Sequence, residues 1–265
     1  MTAEECLREG KLGDALAKLQ NQVRGDPSNA KQRIFLFQLL SVLGQWERAM
    51  TQLNVAGDLD PGALAMVQAY REALKCEVLR AGVFAGKRSP LVFGEPEKWI
   101  ALLMQALTLT AEGSHAESQR LRDEAFEEAP TTGGTLDGKP FEWIADADGR
   151  MGPVLEAVIN GNYYWVPFHR IREVKIEEPE DLRDLVWLPA QFSWSNGGEG
   201  VGLIPSRYAD SESSEDDLVR LARKTVWVEK GDEVYWGAGQ RMLATDNGEF
   251  PLMDVREIRL NTGDA

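Results

Sequence analysis

Apolar side chains recur every three or four positions over residues 1–130, the spacing that places them on one face of an α-helix. This pattern repeats after 34 residues, as the positions of Gly10 and Gly44 show. Other equivalent pairs are Leu12 and Trp46, Ala15 and Ala49, Leu16 and Met50, Leu19 and Leu53, and Pro27 and Pro61. In such a unit the glycine ends the first helix, the small alanine lets two helices approach closely, and the proline stops the second helix. A helix–turn–helix period of this length predicts tetratricopeptide-like repeats.

A third, weaker copy of the repeat follows. Gly113 and Pro130 have the spacing of Gly10 and Pro27, Ala125 is kept, and Ser118 stands where the other copies have alanine. The predicted helices of this copy are 97–112 and 114–128. Residues 63–79 are predicted as an additional helix, and 81–96, which hold several glycines and prolines, as a loop.

From residue 131 onward, short runs of Val, Ile, Tyr, Phe and Trp indicate β-strands. The clearest hairpin joins 154–159 to 162–166 through Asn160 and Gly161, two residues suited to the positive φ of a tight turn. Three further hairpins are predicted: 191–194 with 201–204, 226–228 with 234–236 through a turn at 230–232, and 241–244 with 250–253. The last predicted strand is 255–260. The only helix predicted in this half is 214–224. The predicted fold class is α+β: tetratricopeptide-like helical repeats over residues 1–130, then a mainly antiparallel β domain over 131–265, for which a small barrel is one possible form.

Charge narrows the range of partners. The formal net charge is −14, and most of the acidic excess lies after residue 130. An acidic surface disfavours nucleic acid and anionic membranes as partners. No apolar run is long enough to span a membrane, and the first residues lack the pattern of a signal peptide. Cys6 and Cys76 are the only cysteines, so we expect no disulfide framework, and two partly buried thiols fit a reducing cytoplasm.

No segment carries a complete catalytic, cofactor or metal motif. Residues 82–89 differ from a phosphate-binding loop in glycine spacing, and 237–242 lack the third glycine of a dinucleotide fingerprint. Residues 146–149 resemble the start of a calcium loop, but a turn whose carboxylates bind backbone amides is favoured. His115 and His169 have no evident catalytic partner. We therefore expect no enzyme activity, no cofactor and no bound metal.

Tryptophans and arginines of the second half allow two interpretations. Trp143, Trp165, Trp187 and Trp194 belong to the β core or line a pocket, and core is favoured because each buries a large apolar area. Arginines at 150, 170, 183 and 207 lie near several aspartates. They form internal ion pairs or, less conservatively, a carboxylate-binding site.

Several long motifs in this half resemble the ImpE/TagJ family. They are FEWIADADGRMGP at 141–153, GNYYWVPF at 161–168, DLRDLVW at 181–187, LIPSRY at 203–208 and GQRM at 239–242. The resemblance extends over nearly the whole chain. It implies a cytoplasmic accessory protein of bacterial type VI secretion, associated with the small subunit of the contractile sheath and close to the unfoldase that recycles the sheath. The candidate residues within these motifs are Trp143, Asp146, Asp148, Arg150, Trp165 and Arg170.

These observations favour a non-enzymatic adaptor whose helical repeats form a groove for an amphipathic segment of the sheath subunit. The first helix of each pair lines the concave face of such a stack, so residues three or four apart project into the groove. The predicted groove residues are Lys31, Ile34, Gln38, Ser41, Ile100, Leu103 and Leu107. Packing of the apolar ones against the β domain is the alternative. A scaffold without a defined peptide site remains open, as does an enzyme or small-ligand sensor with a closed cavity lined by Arg150, Arg170 and Trp165.

Overall fold

The computed structural model describes residues 1–231 and 234–262. Helices fill the first half, and one two-residue strand, β1 (Leu91–Val92), interrupts them. The helices are α1 (Ala3–Arg8), α2 (Leu12–Gly25), α3 (Ala30–Val42), α4 (Trp46–Leu59), α5 (Leu64–Phe84), α6 (Lys98–Ala111) and α7 (His115–Glu128). The three repeat copies therefore correspond to α1–α2, α3–α4 and α6–α7, as the sequence predicts.

The three repeat glycines share one turn geometry. Gly10, Gly44 and Gly113 have φ values of 72°, 66° and 83°, in the left-handed region that costs glycine little. In each copy the amide after the glycine donates to a carbonyl five residues earlier, with N···O distances of 2.8, 2.9 and 2.8 Å. This is the Schellman arrangement that ends a helix and redirects the chain.

Close packing within the pairs depends on small side chains. Ala15 and Ala49 are completely buried. Ser118 occupies the equivalent place in the third copy, where its hydroxyl donates to the Ala106 carbonyl at 2.6 Å. The internal hydrogen bond makes serine acceptable at a buried site that otherwise requires alanine.

The prediction for the segment between the second and third copies is partly wrong. Helix α5 continues to Phe84, so residues 81–84 are helical, and the later part of the predicted loop contains β1. Strand β1 pairs parallel to β6 of the second half, with Leu91 opposite Tyr164. A long-range strand pairing of this kind is invisible to a local reading of glycine and proline content.

The second half is mainly antiparallel β structure, as predicted. Its strands are β2 (Gly134–Leu136), β3 (Lys139–Phe141), β4 (Ile144–Asp146), β5 (Val154–Ile159), β6 (Asn162–Pro167), β7 (Ile171–Ile176), β8 (Trp187–Trp194), β9 (Glu199–Pro205), β10 (Thr225–Gly231), β11 (Val234–Gly239), β12 (Met242–Thr245), β13 (Gly248–Pro251) and β14 (Glu257–Leu260). Nine strands form one sheet in the order β1-β6-β5-β9-β8-β7-β14-β2-β3, and β13-β12-β4 and β10-β11 form two smaller sheets. Among the described strands the large sheet has β1 and β3 as its edges, so it is not a closed barrel.

All four predicted hairpins are present. Asn160 and Gly161 have φ values of 49° and 75° and connect β5 to β6, with Ile159 opposite Asn162. The others are β8–β9, β10–β11 and β12–β13; Asp232 of the predicted 230–232 turn lies outside the described residues.

The predicted helix at 214–224 is wrong in extent. Only α8 (Asp217–Arg220) is helical, and Ala222 adopts a φ of 53°. A residue in the left-handed region cannot continue a helix. The charge pattern of this segment thus marks one capped turn, in which the side chain of Asp216 accepts from the Leu218 amide.

Apolar cores join the two halves. One core joins helices α1–α5 to Val186, Trp187 and Leu221, a second lies within the β part, and a third joins α5–α7 to β5 and β6. No helix in the described part of the chain is long and apolar enough to cross a membrane.

Candidate functional site

The predicted groove residues lie mostly in the interior. Ile100, Leu103 and Leu107 of α6 are 0–4% exposed and pack in the core that contains Val154, Trp165 and their neighbours on β5 and β6. The β part therefore covers the apolar face of the third repeat. These three positions therefore do not form an open apolar groove. Their side chains pack against the β part, which was the alternative interpretation.

The second repeat is covered in a similar way. Gln38 and Ser41 of α3 are buried, Ile34 is partly buried, and Lys31 is exposed. The core around Ile34 includes Trp187 of β8, and the Arg207 guanidinium donates to the Val42 carbonyl at 2.8 Å. Arg207 thus satisfies a carbonyl that the end of helix α3 leaves unpaired.

Buried ionic groups connect α5 to the β part. The Arg80 guanidinium of α5 binds both carboxylate oxygens of Glu156 on β5, at 2.6 and 2.9 Å. Arg241, which precedes β12 and is fully buried, pairs with Glu156 and with Asp146. Tyr163 donates to Glu156 as well. The Glu156 carboxylate on β5 therefore binds side chains from helix α5, from strand β6 and from the residue that precedes β12.

Further bonds extend the cluster in two directions. Glu77, one turn before Arg80 on α5, accepts from the Trp187 indole at 2.9 Å. On the other side, Asp148 binds the Arg150 guanidinium and accepts from the Gly237 amide at 2.8 Å. Buried charges in proteins are retained only when they are paired and hydrogen-bonded, and these groups satisfy one another.

The turn at 146–149 has the geometry that the sequence favours over a calcium loop. The Asp146 carboxylate accepts from the Asp148 amide at 2.8 Å, and the Asp148 carboxylate accepts from the Arg150 amide at 2.9 Å. Both carboxylates also bind arginines. Within the described residues, no group of three or more His, Cys, Asp or Glu side chains could hold a metal ion.

Opposing effects set the pKa values of the central carboxyl groups. Burial raises the pKa of Glu156, but Arg80 and Arg241 outweigh it and lower that pKa to about 2. Burial raises the pKa of Asp146 to about 6, because the attraction of Arg241 offsets only part of the desolvation. Glu156 is therefore an anion throughout the physiological range, which fits a structural ion pair better than a proton-transfer group.

Arg150, Arg170 and Trp165, which would line the alternative closed ligand cavity, do not lie together in the structure. Trp165 is fully buried and donates to the Tyr163 hydroxyl at 2.9 Å. Arg170 instead binds Glu97 at 2.8 Å, next to His169, which binds the same carboxylate. Arg150 lies with its guanidinium carbon 4.7 Å from the centre of the Trp236 ring. Each of these family-motif residues has its own local partners.

Trp143 differs from the other motif tryptophans because it is 40% exposed. It lies just before β4, where a surface cleft of about 450 Å³ separates this strand from the end of α7. Phe126 of α7, 36% exposed, also lines this cleft. We call this depression the Trp143 cleft.

Four members of the ionic cluster are not predicted from the sequence: Glu77, Arg80, Glu156 and Arg241. One local signal was available: Glu156 interrupts the apolar run Val154–Ile159 of β5, and a charge inside such a run needs a buried partner. Its partners, however, lie 76 and 85 residues away in sequence. Their identity follows only from the fold.

Comparison with known proteins supports the resemblance. A family model described as ImpE protein matches residues 138–259, and a tetratricopeptide repeat model matches residues 7–74. The chain is 53% identical over 265 residues to the type VI secretion system accessory component TagJ of Pseudomonas aeruginosa, covering all of this chain and 93% of the relative. The crystal structure of protein VPA1032 from Vibrio parahaemolyticus is also similar, with a TM-score of 0.89, 28% identity and 97% coverage of both chains. With full-length identity at this level, the chain belongs to the ImpE/TagJ family.

Proposed function

We propose that the protein is a non-enzymatic, cytoplasmic adaptor of a type VI secretion system, which binds a helical segment of the small sheath subunit and assists recycling of the sheath by the unfoldase. The observation that carries this proposal is the 53% identity to a type VI secretion accessory component over the whole chain. Tetratricopeptide-like repeats support a protein-binding role in general, because such repeats are common in proteins that bind other proteins, although the β part covers the apolar groove predicted here.

The internal chemistry also supports an adaptor over an enzyme. Catalytic sites expose groups with a pKa matched to proton transfer or nucleophilic attack. Here Glu156 and Arg241 are completely buried and bind each other. They stabilise the junction of the two halves and leave partner binding to the outer surface.

Binding of the purified small sheath subunit to the full-length protein tests the proposal. Isothermal titration calorimetry is expected to show saturable binding, and removal of the helical segment of the sheath subunit is expected to abolish it. Absence of binding by the intact subunit would contradict the adaptor proposal. The same titration with the purified unfoldase, alone and with the adaptor–sheath complex, tests whether recycling involves a direct contact.

A further inference from the structure

The Trp143 cleft is lined by aromatic and small side chains. Trp143, Phe126, Ala145, Ala147 and Ala244 are among its lining residues. The volume of about 450 Å³ lies within the range of roughly 300–1,000 Å³ that is usual for ligand sites. Half-exposed aromatic side chains beside a pocket are typical of the residues that dominate protein–protein affinity.

Packing holds Phe126 and the backbone next to Trp143 in place. The ring of Phe126 lies on Gly152, where an added Cβ would come within 2.6 Å of the ring Cζ atom, so this position has no room for a side chain. Next to Trp143, the inward-facing Ile144 and Asp146 are each 3% exposed, and Asp146 is bound to Arg241. The cleft is therefore a preformed surface, which lowers the entropic cost of binding.

The chain itself occupies part of the outer edge of β4. The Asp146 amide donates to the Gly152 carbonyl at 2.7 Å, whereas the Ala147 amide donates at 3.0 Å to the Met242 carbonyl on the β12 side. Strand addition requires free main-chain donors and acceptors along an edge. The Asp146 donor is not free, which favours a partner that contacts the cleft through its side chains.

Exposed acidic residues near the cleft favour one class of partner. Asp123 and Glu127 on α7, Glu142 beside Trp143, and Glu249 on β13 are exposed. Glu249 lies opposite Ala244 in the strand register, on the sheet face that lines the cleft. Of the basic residues on the segments that line the cleft, Arg122 and Arg150 are buried, and the exposed Arg120 is paired with Glu117 and Glu124. An acidic rim favours an occupant with basic flanks.

We propose that the Trp143 cleft docks a segment of a partner protein that presents a large apolar side chain flanked by lysine or arginine. This inference rests on the proposed function in one respect, that the chain acts by binding other proteins. It deepens that function by naming the surface and the chemistry of the bound segment.

One test uses the small sheath subunit as the probe. Trp143→Ser and Phe126→Ser are each expected to raise its Kd at least tenfold, while Trp227→Ser, at a tryptophan of similar exposure on β10, is expected to leave it within twofold. Glu249→Lys should weaken binding and Glu199→Lys, on β9, should not. Thermal unfolding of each variant checks that it is folded. If the sheath subunit binds the wild type and both aromatic variants equally well, the cleft is excluded and the adaptor proposal stands.

A second test is independent of the sheath. Two short fluorescein-labelled peptides carry the same leucine and tryptophan anchors, one flanked by lysines and one by glutamates. Fluorescence anisotropy is expected to show the lysine-flanked peptide binding the wild type at least tenfold more tightly than the glutamate-flanked one, with the preference lost in Trp143→Ser. Equal affinity for both peptides, or no effect of the substitution, overturns the inference. Peptide binding without sheath binding would uphold the cleft and overturn the adaptor proposal.

Discussion

At the residue scale, two glycines with positive φ allow the cost of left-handed backbone geometry to be measured apart from the cost of steric crowding. Gly44 and Gly113 have equivalent positions and φ values of 66° and 83°, but only Gly44 is crowded: an added Cβ would lie 2.8 Å from the Cβ of Glu212. At Gly113 an added Cβ meets nothing within 4 Å. Gly113 thus shows the backbone cost alone, and Gly44 the backbone cost plus steric overlap.

We expect Gly113→Ala to lower the free energy of unfolding by about 1 kcal/mol, the usual cost of a non-glycine residue in left-handed geometry. Gly44→Ala should lower it further, because the new methyl group displaces Glu212. Urea unfolding followed by circular dichroism measures both. Gly13→Ala is the control, since Gly13 lies within α2 with open space around it. Equal losses at Gly44 and Gly113 would contradict the crowding argument.

The low pKa of Glu156 predicts how the free energy of unfolding depends on pH. Its pKa is lowered from 4.5 to about 2 in the folded protein, so its stabilising effect is present above pH 4.5 and is lost as the pH falls from 4.5 towards 2. Glu156→Gln leaves Arg80 and Arg241 without their shared anion, and breaking a buried pair in this way costs about 3 kcal/mol or more.

Urea unfolding of wild type and Glu156→Gln at a series of pH values checks this. The difference in unfolding free energy is expected to be largest near neutral pH and to narrow steadily below pH 4.5. An exposed carboxylate, Glu199→Gln, serves as the control and should give a difference close to zero throughout. A gap that stays constant down to pH 2 would show that the carboxylate charge of Glu156 does not stabilise the fold.

Local sequence was sufficient at this scale wherever the interacting groups are close in the chain. The Asp146–Asp148 turn and the helix ends at the repeat glycines were both predicted, because each depends on hydrogen bonds within a few residues. The link between Arg241 and Glu156 was not predicted, because 85 residues separate them. Their pairing depends on where the β13-β12-β4 sheet packs, and local residue spacing does not determine that position.

At the scale of elements, the apolar pattern predicted that helices form but not what covers them. The boundaries of α6 and α7 agree with prediction to within one residue. The same apolar stripe on α6, however, fits an open groove and a buried face equally well. The burial of Leu103 against β5 and β6 shows that the stripe is used for folding.

Substitution of Leu103 by aspartate tests that conclusion. Leu103 is 1% exposed, so Leu103→Asp places a carboxylate in an apolar core and is expected to unfold the protein or leave it aggregated. Combination with Ile34→Asp should have the same result. Gln105→Asp, at an exposed position of the same helix, is the control and should remain folded by circular dichroism. A Leu103→Asp variant with an unchanged melting temperature would instead indicate an accessible face.

At the scale of the whole molecule, the sequence indicated two regions but not how strongly they depend on each other. The division near residue 130 is visible in the change from helices to strands. Yet Trp187 lies in the core of the helical repeats, β1 pairs with β6, and Arg80 of α5 is neutralised by Glu156 of β5. Two autonomous domains would not share cores and buried charges in this way.

This dependence predicts that residues 1–130 alone do not form a stable domain. Without the β part, the apolar side of α6 would face water, and the buried Arg80 would lose the carboxylate of Glu156. We expect the isolated fragment to show helical circular dichroism without a cooperative thermal transition, and to bind a dye specific for exposed apolar surface. Co-expression with residues 131–265 is expected to restore a cooperative transition, because burial of the shared cores drives reassembly. A cooperative melt of the 1–130 fragment by itself would show that residue 130 is a true domain boundary and that the ionic junction is dispensable for folding of the repeats.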